Sequence, residues 1–225
     1  MIRKVLMPTV ALATMASAAL AADSTGPAVN WTGYYAGAQI GYMSGSADWD
    51  VNKVNNGYHE YWRPHGGFGG LHAGYNFQSG SAVIGLQAEG NISGESGRAR
   101  DPSGLRVGTR SERVSSADAR LGYAFGRALV YAIGGVAFSD NRTHGYLPGL
   151  DAMFRGNHVG FDYGVGAEFA ITDRVSMRLE YRHYDLGGKN FGPTPRGAPW
   201  YYTEHAHRYE KDVVRMGFSY RFGSL

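Results

Sequence analysis

A two-residue rhythm repeated eight times constrains this chain more than any other feature. Tyr34, Ala36, Ala38, Ile40 and Tyr42 form one apolar row, with Gln39 and glycines between them. Leu71, Ala73, Tyr75 and Phe77 form a second, and Ala82, Ile84, Leu86 and Ala88 a third. Ala117, Ala119, Leu121, Tyr123 and Phe125 follow, then Val130, Ala132, Gly134, Val136 and Phe138. The sixth row is Phe161, Tyr163, Val165, Ala167, Phe169 and Ile171. Val175, Met177, Leu179 and Tyr181 make the seventh, and Val214, Met216, Phe218, Tyr220 and Phe222 the eighth. Side chains alternate across a strand, so each row is one face of a β-strand. Only the fifth row is ambiguous in phase, because Tyr131 and Ile133 on its other face are also apolar.

The intervening positions are of the opposite character. They carry Glu89, Asp118, Asp162, Glu168 and Glu180 against Arg120, Arg178, Arg182, Arg215 and Arg221, five acids for five bases. No stretch shows a convincing helical period, so no helix is available to cover eight apolar faces. A soluble β-sandwich would bury the aromatic rows but would leave the ten charges without a role. Lipid outside and a charged lumen inside accommodates both sets. The expected fold is therefore all-β: an eight-stranded antiparallel transmembrane barrel over residues 34–222.

The connections agree. Gln78–Ser81, Gly126–Ala128 and Thr172–Arg174 read as tight turns. Residues 45–66, 93–113, 139–157 and 187–207 read as four long polar loops. Short and long alternate, as periplasmic turns and extracellular loops do in membrane barrels. Residues 1–21 read as a cleaved signal peptide: Arg3 and Lys4, an apolar run, then Ala19-Leu20-Ala21. Its removal takes two bases and no acids, so the net charge falls from +3 to +1. No basic cluster remains to suggest nucleic acid. Residues 22–33 are an expected periplasmic tail and 223–225 a short C-terminal extension.

Composition supports this reading. Tyr75, Phe77, Tyr123, Phe125, Phe169, Tyr220 and Phe222 end the strands that descend to the turns and predict an aromatic girdle at that interface. The chain has 34 glycines, well above the usual share of roughly 7%. Gly37, Gly41, Gly70, Gly74, Gly85, Gly122, Gly164, Gly166 and Gly217 fall in the inward rows. There they are expected to make room for Arg and Glu in a narrow lumen. With no Cys, thiolate metal sites and Cys nucleophiles are excluded.

Several segments resemble the small outer-membrane β-barrel (opacity-like, "porin family") proteins of rhizobia and brucellae. They are Trp31-Thr32-Gly33-Tyr34-Tyr35-Ala36-Gly37, Ala119-Arg120-Leu121-Gly122-Tyr123 and Tyr131-Ala132-Ile133-Gly134-Gly135. Gly164-Val165-Gly166-Ala167-Glu168, Leu179-Glu180-Tyr181-Arg182, Asp185-Leu186-Gly187 and Tyr220-Arg221-Phe222 continue the series. The resemblance implies an eight-stranded outer-membrane barrel with diverse surface functions. That family usually ends on the aromatic residue, whereas Gly223-Ser224-Leu225 follows Phe222 here.

Three kinds of chemistry compete. The ten lumen charges either pair into a plug or line a narrow pore; equal numbers favour the plug, because buried charges persist when paired. His59, His65, His205 and His207, among loop aromatics, could ligate haemin or a metal, as the resemblance suggests for some relatives. No cofactor is otherwise expected. The resemblance also raises lipid A modification, but His183 has no serine or acid evident beside it in sequence. A structural and surface-interactive protein is the favoured reading. Its expected partners are outer-membrane lipid and lipopolysaccharide, the barrel-assembly machinery, and a host or surface ligand through the loops.

Overall fold

The computed structural model describes residues 29–51, 58–62, 65–94, 96–100, 106–147, 150–187 and 209–222. Ten strands follow one another: β1 (Gly33–Val51), β2 (Tyr58–Trp62), β3 (His65–Ser79), β4 (Ala82–Ser93), β5 (Ser96–Arg100), β6 (Arg106–Phe125), β7 (Ala128–Leu147), β8 (Leu150–Ala170), β9 (Val175–Asp185) and β10 (Tyr209–Arg221). Eight of them close a ring, β1-β10-β9-β8-β7-β6-β4-β3 and back to β1, every pairing antiparallel. Closure removes the sheet edges that lipid could not satisfy. The short strands β2 and β5 extend β1 and β6 beyond the ring.

The register fixes the barrel's shape. Met43 faces Val213, which faces Arg182, then Gly164, Ile133, Arg120, Gly85, Asn76 and finally Gly33. One circuit that leaves β1 at Met43 returns to it at Gly33, a shear of ten residues. Eight strands with that stagger tilt by about 40° and enclose a lumen only as wide as its own side chains.

The molecule is apolar outside and polar inside. Ile92, Phe161, Leu86 and Leu71 are 68–74% exposed on the outer face, while Glu180 and Arg182 are fully buried. Every apolar row predicted from the sequence lies outward, including the ambiguous fifth, because Tyr131 and Ile133 are buried in the lumen. The short connections fall at Gly80-Ser81, Gly126-Arg127 and residues 171–174, and define the turn end of the barrel. Gly80 and Gly126 adopt φ of 61° and 57°, the left-handed conformation that glycine reaches without a Cβ penalty.

The far end departs from expectation. The described residues within 45–66, 93–113 and 139–157 continue the strand pairing. β1 runs to Val51, β6 begins at Arg106, and β7 and β8 pair from Leu147↔Leu150 downward. Above the lipid a strand needs only its backbone partner, not an apolar face, so pairing outlasts the hydrophobic rhythm. Most of the fourth connection, residues 188–208, lies outside the described residues, as do 1–28 and 223–225.

The glycines make room for different neighbours than expected. A Cβ at Gly166 would stand 2.5 Å from the Tyr131 ring, at Gly41 2.5 Å from Phe68, and at Gly37 2.6 Å from His72. At Gly164 the near side chain is an arginine, with Arg182 Cγ at 2.8 Å. Flat rings lying along the wall need glycine beneath them; long flexible guanidinium stems do not.

Candidate functional site: a charged layer between two apolar layers

The lumen charges come from the inward positions of β4, β6, β8, β9 and β10, placed there by strand alternation. Arg182 is their hub. Its Nη1 donates to Asp118 Oδ2 at 2.7 Å and Asp162 Oδ2 at 2.6 Å, and its Nε to Glu180 Oε1 at 2.7 Å. Its Nη2 stands 3.4 Å from Glu89. Arg215 bridges the same two glutamates, with Nη1 2.6 Å from Glu89 and Nη2 2.6 Å from Glu180. Arg120 pairs with Glu168 at 2.8 Å, and Ser176 donates to the other oxygen of that carboxylate. The structure therefore brings nine of the ten predicted lumen residues together. Arg178 donates to amide oxygens of Gln87, at 2.7 Å, and Gln39 rather than to a carboxylate.

Arg221 is the exception. It lies at the turn end, where Nη1 donates to the Asn30 carbonyl at 2.8 Å and the guanidinium stacks 4.6 Å from the Trp31 ring. A further inward base, Lys211, is buried at 1% exposure and lines the far end of the lumen with Met43, Phe68, Asn91, Val114, Tyr184 and Val213. The sequence pattern missed it because it lies beyond Val214, the first apolar residue of its strand.

Sequence reasoning also missed the neutral members. Tyr131 donates to Glu180 at 2.8 Å and Tyr184 to Glu89 at 3.1 Å. Arg120 lies 3.9 Å above the Tyr131 ring and donates to the Tyr35 hydroxyl at 3.0 Å. Gln39 joins Asn91 at 2.7 Å, and Asn91 donates to Glu89 at 3.0 Å. Tyr131, Tyr184 and Asn91 thus fill lone pairs of Glu180 and Glu89 that the arginines leave, whereas Asp118 Oδ1 and Asp162 Oδ1 are buried without a hydrogen-bond partner among the described residues.

An apolar layer closes each side. Met43, Phe68, Val114, Ala137, Tyr184, Leu186 and Val213 pack at the far end. A cavity of about 10 Å³ beneath them has room for about one water. At the turn end Val29 and Trp31 fold back into the mouth and pack with Val83, Leu129, Tyr131, Ile133 and two alanines. The backbone of Trp31 donates to Gln78 Oε1 at 2.7 Å, and that of Val29 to the Gly126 carbonyl at 3.2 Å. The last residues of the expected tail are thus part of the barrel.

The other candidates are placed as follows. The girdle residues Tyr75, Phe77, Tyr123, Phe169, Tyr220 and Phe222 are all exposed on the outer face near the turn end, and Phe125 is half-exposed there. His59 faces Asp50 and His65 faces Ser44, six positions apart along β1, so about 20 Å separates their registers. His205 and His207 lie outside the described residues. His183 does have an acid: its Nδ1 lies 2.9 Å from Asp212 Oδ1, which also accepts from the Tyr181 hydroxyl at 2.7 Å. Ser44 faces Asp212 from β1, so the order across the wall is serine, aspartate, histidine. A hydrolytic relay needs the histidine in the middle.

Comparison with known proteins agrees with this architecture. The chain is 31% identical over 211 residues to the 31 kDa outer-membrane immunogenic protein of Brucella melitensis biotype 1, covering 86% of this chain and 84% of that one. It is 26% identical over 201 residues to the 22 kDa outer membrane protein of Rhizobium leguminosarum bv. viciae, covering 87% and 80%. Among solved structures, the outer membrane protein OprG from Pseudomonas aeruginosa shares the fold, with a TM-score of 0.50 and 12% identity over 88% of this chain and 99% of that one. The outer membrane protease OmpT from Escherichia coli does so with a TM-score of 0.54 and 11% identity over 89% and 100%. The family described as "Outer membrane protein beta-barrel domain" matches residues 9–222, and this chain, a closed eight-stranded barrel of the outer membrane, belongs to it.

Proposed function

We propose that the protein is a closed, non-conducting outer-membrane barrel whose role is structural and surface-interactive. It contributes to envelope integrity and presents extended strands above the membrane. The observation that supports this reading is the three-layer lumen. A conducting path would have to cross a layer of buried ion pairs and then an apolar layer on each side. Breaking such pairs strands charges in low dielectric, and an apolar constriction excludes ions by dewetting.

The test is single-channel recording in planar bilayers with the refolded chain. The expected result is a flat baseline without stepwise openings. Regular conductance steps that change with Arg182→Ala would establish a pore and overturn the closed reading.

A further inference from the structure

A polar seam crosses the lipid-facing wall. Tyr163 on β8 faces His183 on β9, His183 faces Asp212 on β10, Asp212 faces Ser44 on β1, and Ser44 faces His65 on β3. All five lie on the outer face: Tyr163, Asp212, Ser44 and His65 are exposed and His183 is half-buried. The outward row beneath them is Val165, Tyr181, Val214, Tyr42 and Gly67. A row of polar groups is costly in hydrocarbon, so its depth decides what it can meet.

On β10 Asp212 stands ten residues above Phe222 of the turn-end girdle, with Val214, Met216, Phe218 and Tyr220 exposed between them. At about 3.3 Å per residue and a tilt of about 40°, that rise is about 25 Å, the height of an outer apolar band. Beyond the seam every second residue is polar to the end of the strand: Glu210 on β10, Asp185 on β9, and Ser46, Asp48 and Asp50 on β1. Asp212, His183 and Ser44 therefore meet the outer-leaflet headgroups. Paired rows descend from β1 towards β8 with the shear. Tyr163 thus stands about 6 Å lower than Asp212, with Phe161 and Val159 above it on the same face.

The seam is rich in acceptors. Asp212 Oδ1 accepts from the Tyr181 hydroxyl at 2.7 Å and lies 2.9 Å from His183 Nδ1. An ionised carboxylate only accepts, so the proton of the second contact sits on Nδ1, and Nε2 is turned away from Asp212. The Tyr163 and His183 rings are 5.3 Å apart and tilted by 42°, and the Tyr42 and His65 rings 6.2 Å apart and tilted by 34°. Two tyrosine rings thus bracket a carboxylate, two imidazoles and the Ser44 hydroxyl. One row higher Glu210 faces Asp185, and this negative charge disfavours phosphate. A partner here has to bring hydrogen-bond donors, and a flat apolar side for the rings.

We propose that this seam is a docking surface for the sugar headgroup of an outer-leaflet glycolipid. Its hydroxyl and amide groups donate to Asp212 and to His183 Nε2, while its rings lie against Tyr163 and Tyr42. Hydrogen bonds to a carboxylate are among the strong ones, and tyrosine supplies rigid amphipathic contact area at low entropic cost. The surface lies outside the lumen, and its occupancy does not depend on whether the lumen conducts.

The test uses the full chain, refolded in detergent and offered purified bis-phosphorylated lipid A, the same lipid A dephosphorylated, and phosphatidylethanolamine, which has an ammonium donor but no sugar. Retained lipid is counted by native mass spectrometry. The unsubstituted protein should retain both forms of lipid A alike, and phosphatidylethanolamine about tenfold less. Asp212→Ala with His183→Ala should lower lipid A retention about tenfold while the folded band on an unheated gel is unchanged. Tyr163→Phe, which removes one hydroxyl and keeps the ring, should give a smaller loss in the same direction. Arg174→Ser at the turn end should not reduce retention. Equal retention by the double variant, loss of retention on dephosphorylation, or equal retention of phosphatidylethanolamine overturns the proposal.

Discussion

At the scale of the residue, the lumen shows how far charge alone can be read from a sequence. The inward position of nine charged residues follows from alternation, and the register then puts Arg182 among four carboxylates. Its neutral partners were not legible. Tyrosine, glutamine and asparagine in an inward row carry no sign that distinguishes a network member from a filler. Arg182→Ala should strand Asp118 and Asp162 together, since Glu180 keeps Arg215 and Tyr131, at a cost of about 3–5 kcal/mol. Replacing the set, with Arg182→Met, Asp118→Asn and Asp162→Asn, should recover much of that loss, because no uncompensated charge is left. Urea unfolding in lipid vesicles measures both. A single Arg182→Ala variant as stable as the unsubstituted chain would mean that the carboxylates are not held by this arginine. A second contrast separates ring from charge: Gly166→Val should destabilise by displacing the Tyr131 ring, whereas Gly134→Ala, on the outer face, should be far milder.

At the scale of the element, the strands were legible only where lipid faces them. Lipid demands an apolar residue at every second position, and that demand writes the period into β3, β4, β9 and the lower halves of the others. It ends at the headgroups, whereas backbone pairing does not. Hence Ser139 to Leu147 and Leu150 to Asn157 read as loop yet form a hairpin. The bulge in β6 lies at this junction and sets the face on which everything above it falls. Deleting Glu112 should remove the register shift between Ser111 and Arg113 while leaving the membrane-spanning half of β6 in register, with unchanged migration of the folded band on an unheated gel. Loss of the folded band after the deletion would show that the membrane-spanning half depends on the strand above it.

At the scale of the whole molecule, closure and sealing are separate properties. Closure follows from the ring of eight pairings and predicts a barrel that stays folded in dodecyl sulfate until heated, because no edge is offered to the detergent. Sealing at the turn end depends on a chain segment outside the ring. Trp31 is held between Arg221 of the last strand and the Leu129–Ile133 stretch of β7, so the start of the described chain and its last strand lock one another. Tryptophan 49, 62 and 200 can be changed to phenylalanine to leave Trp31 as the sole indole of four. Its emission should be blue-shifted and nearly inaccessible to a soluble quencher, since its exposure is 1%. Arg221→Ala removes both the stacked cation and the bond to the Asn30 carbonyl, and should increase quenching without lowering the heat needed to unfold the barrel. Water-like emission before any change at Arg221 would mean that the mouth is open and that the ring closes without being sealed. Quenching that rises only together with unfolding would make the segment part of the wall rather than a plug within it.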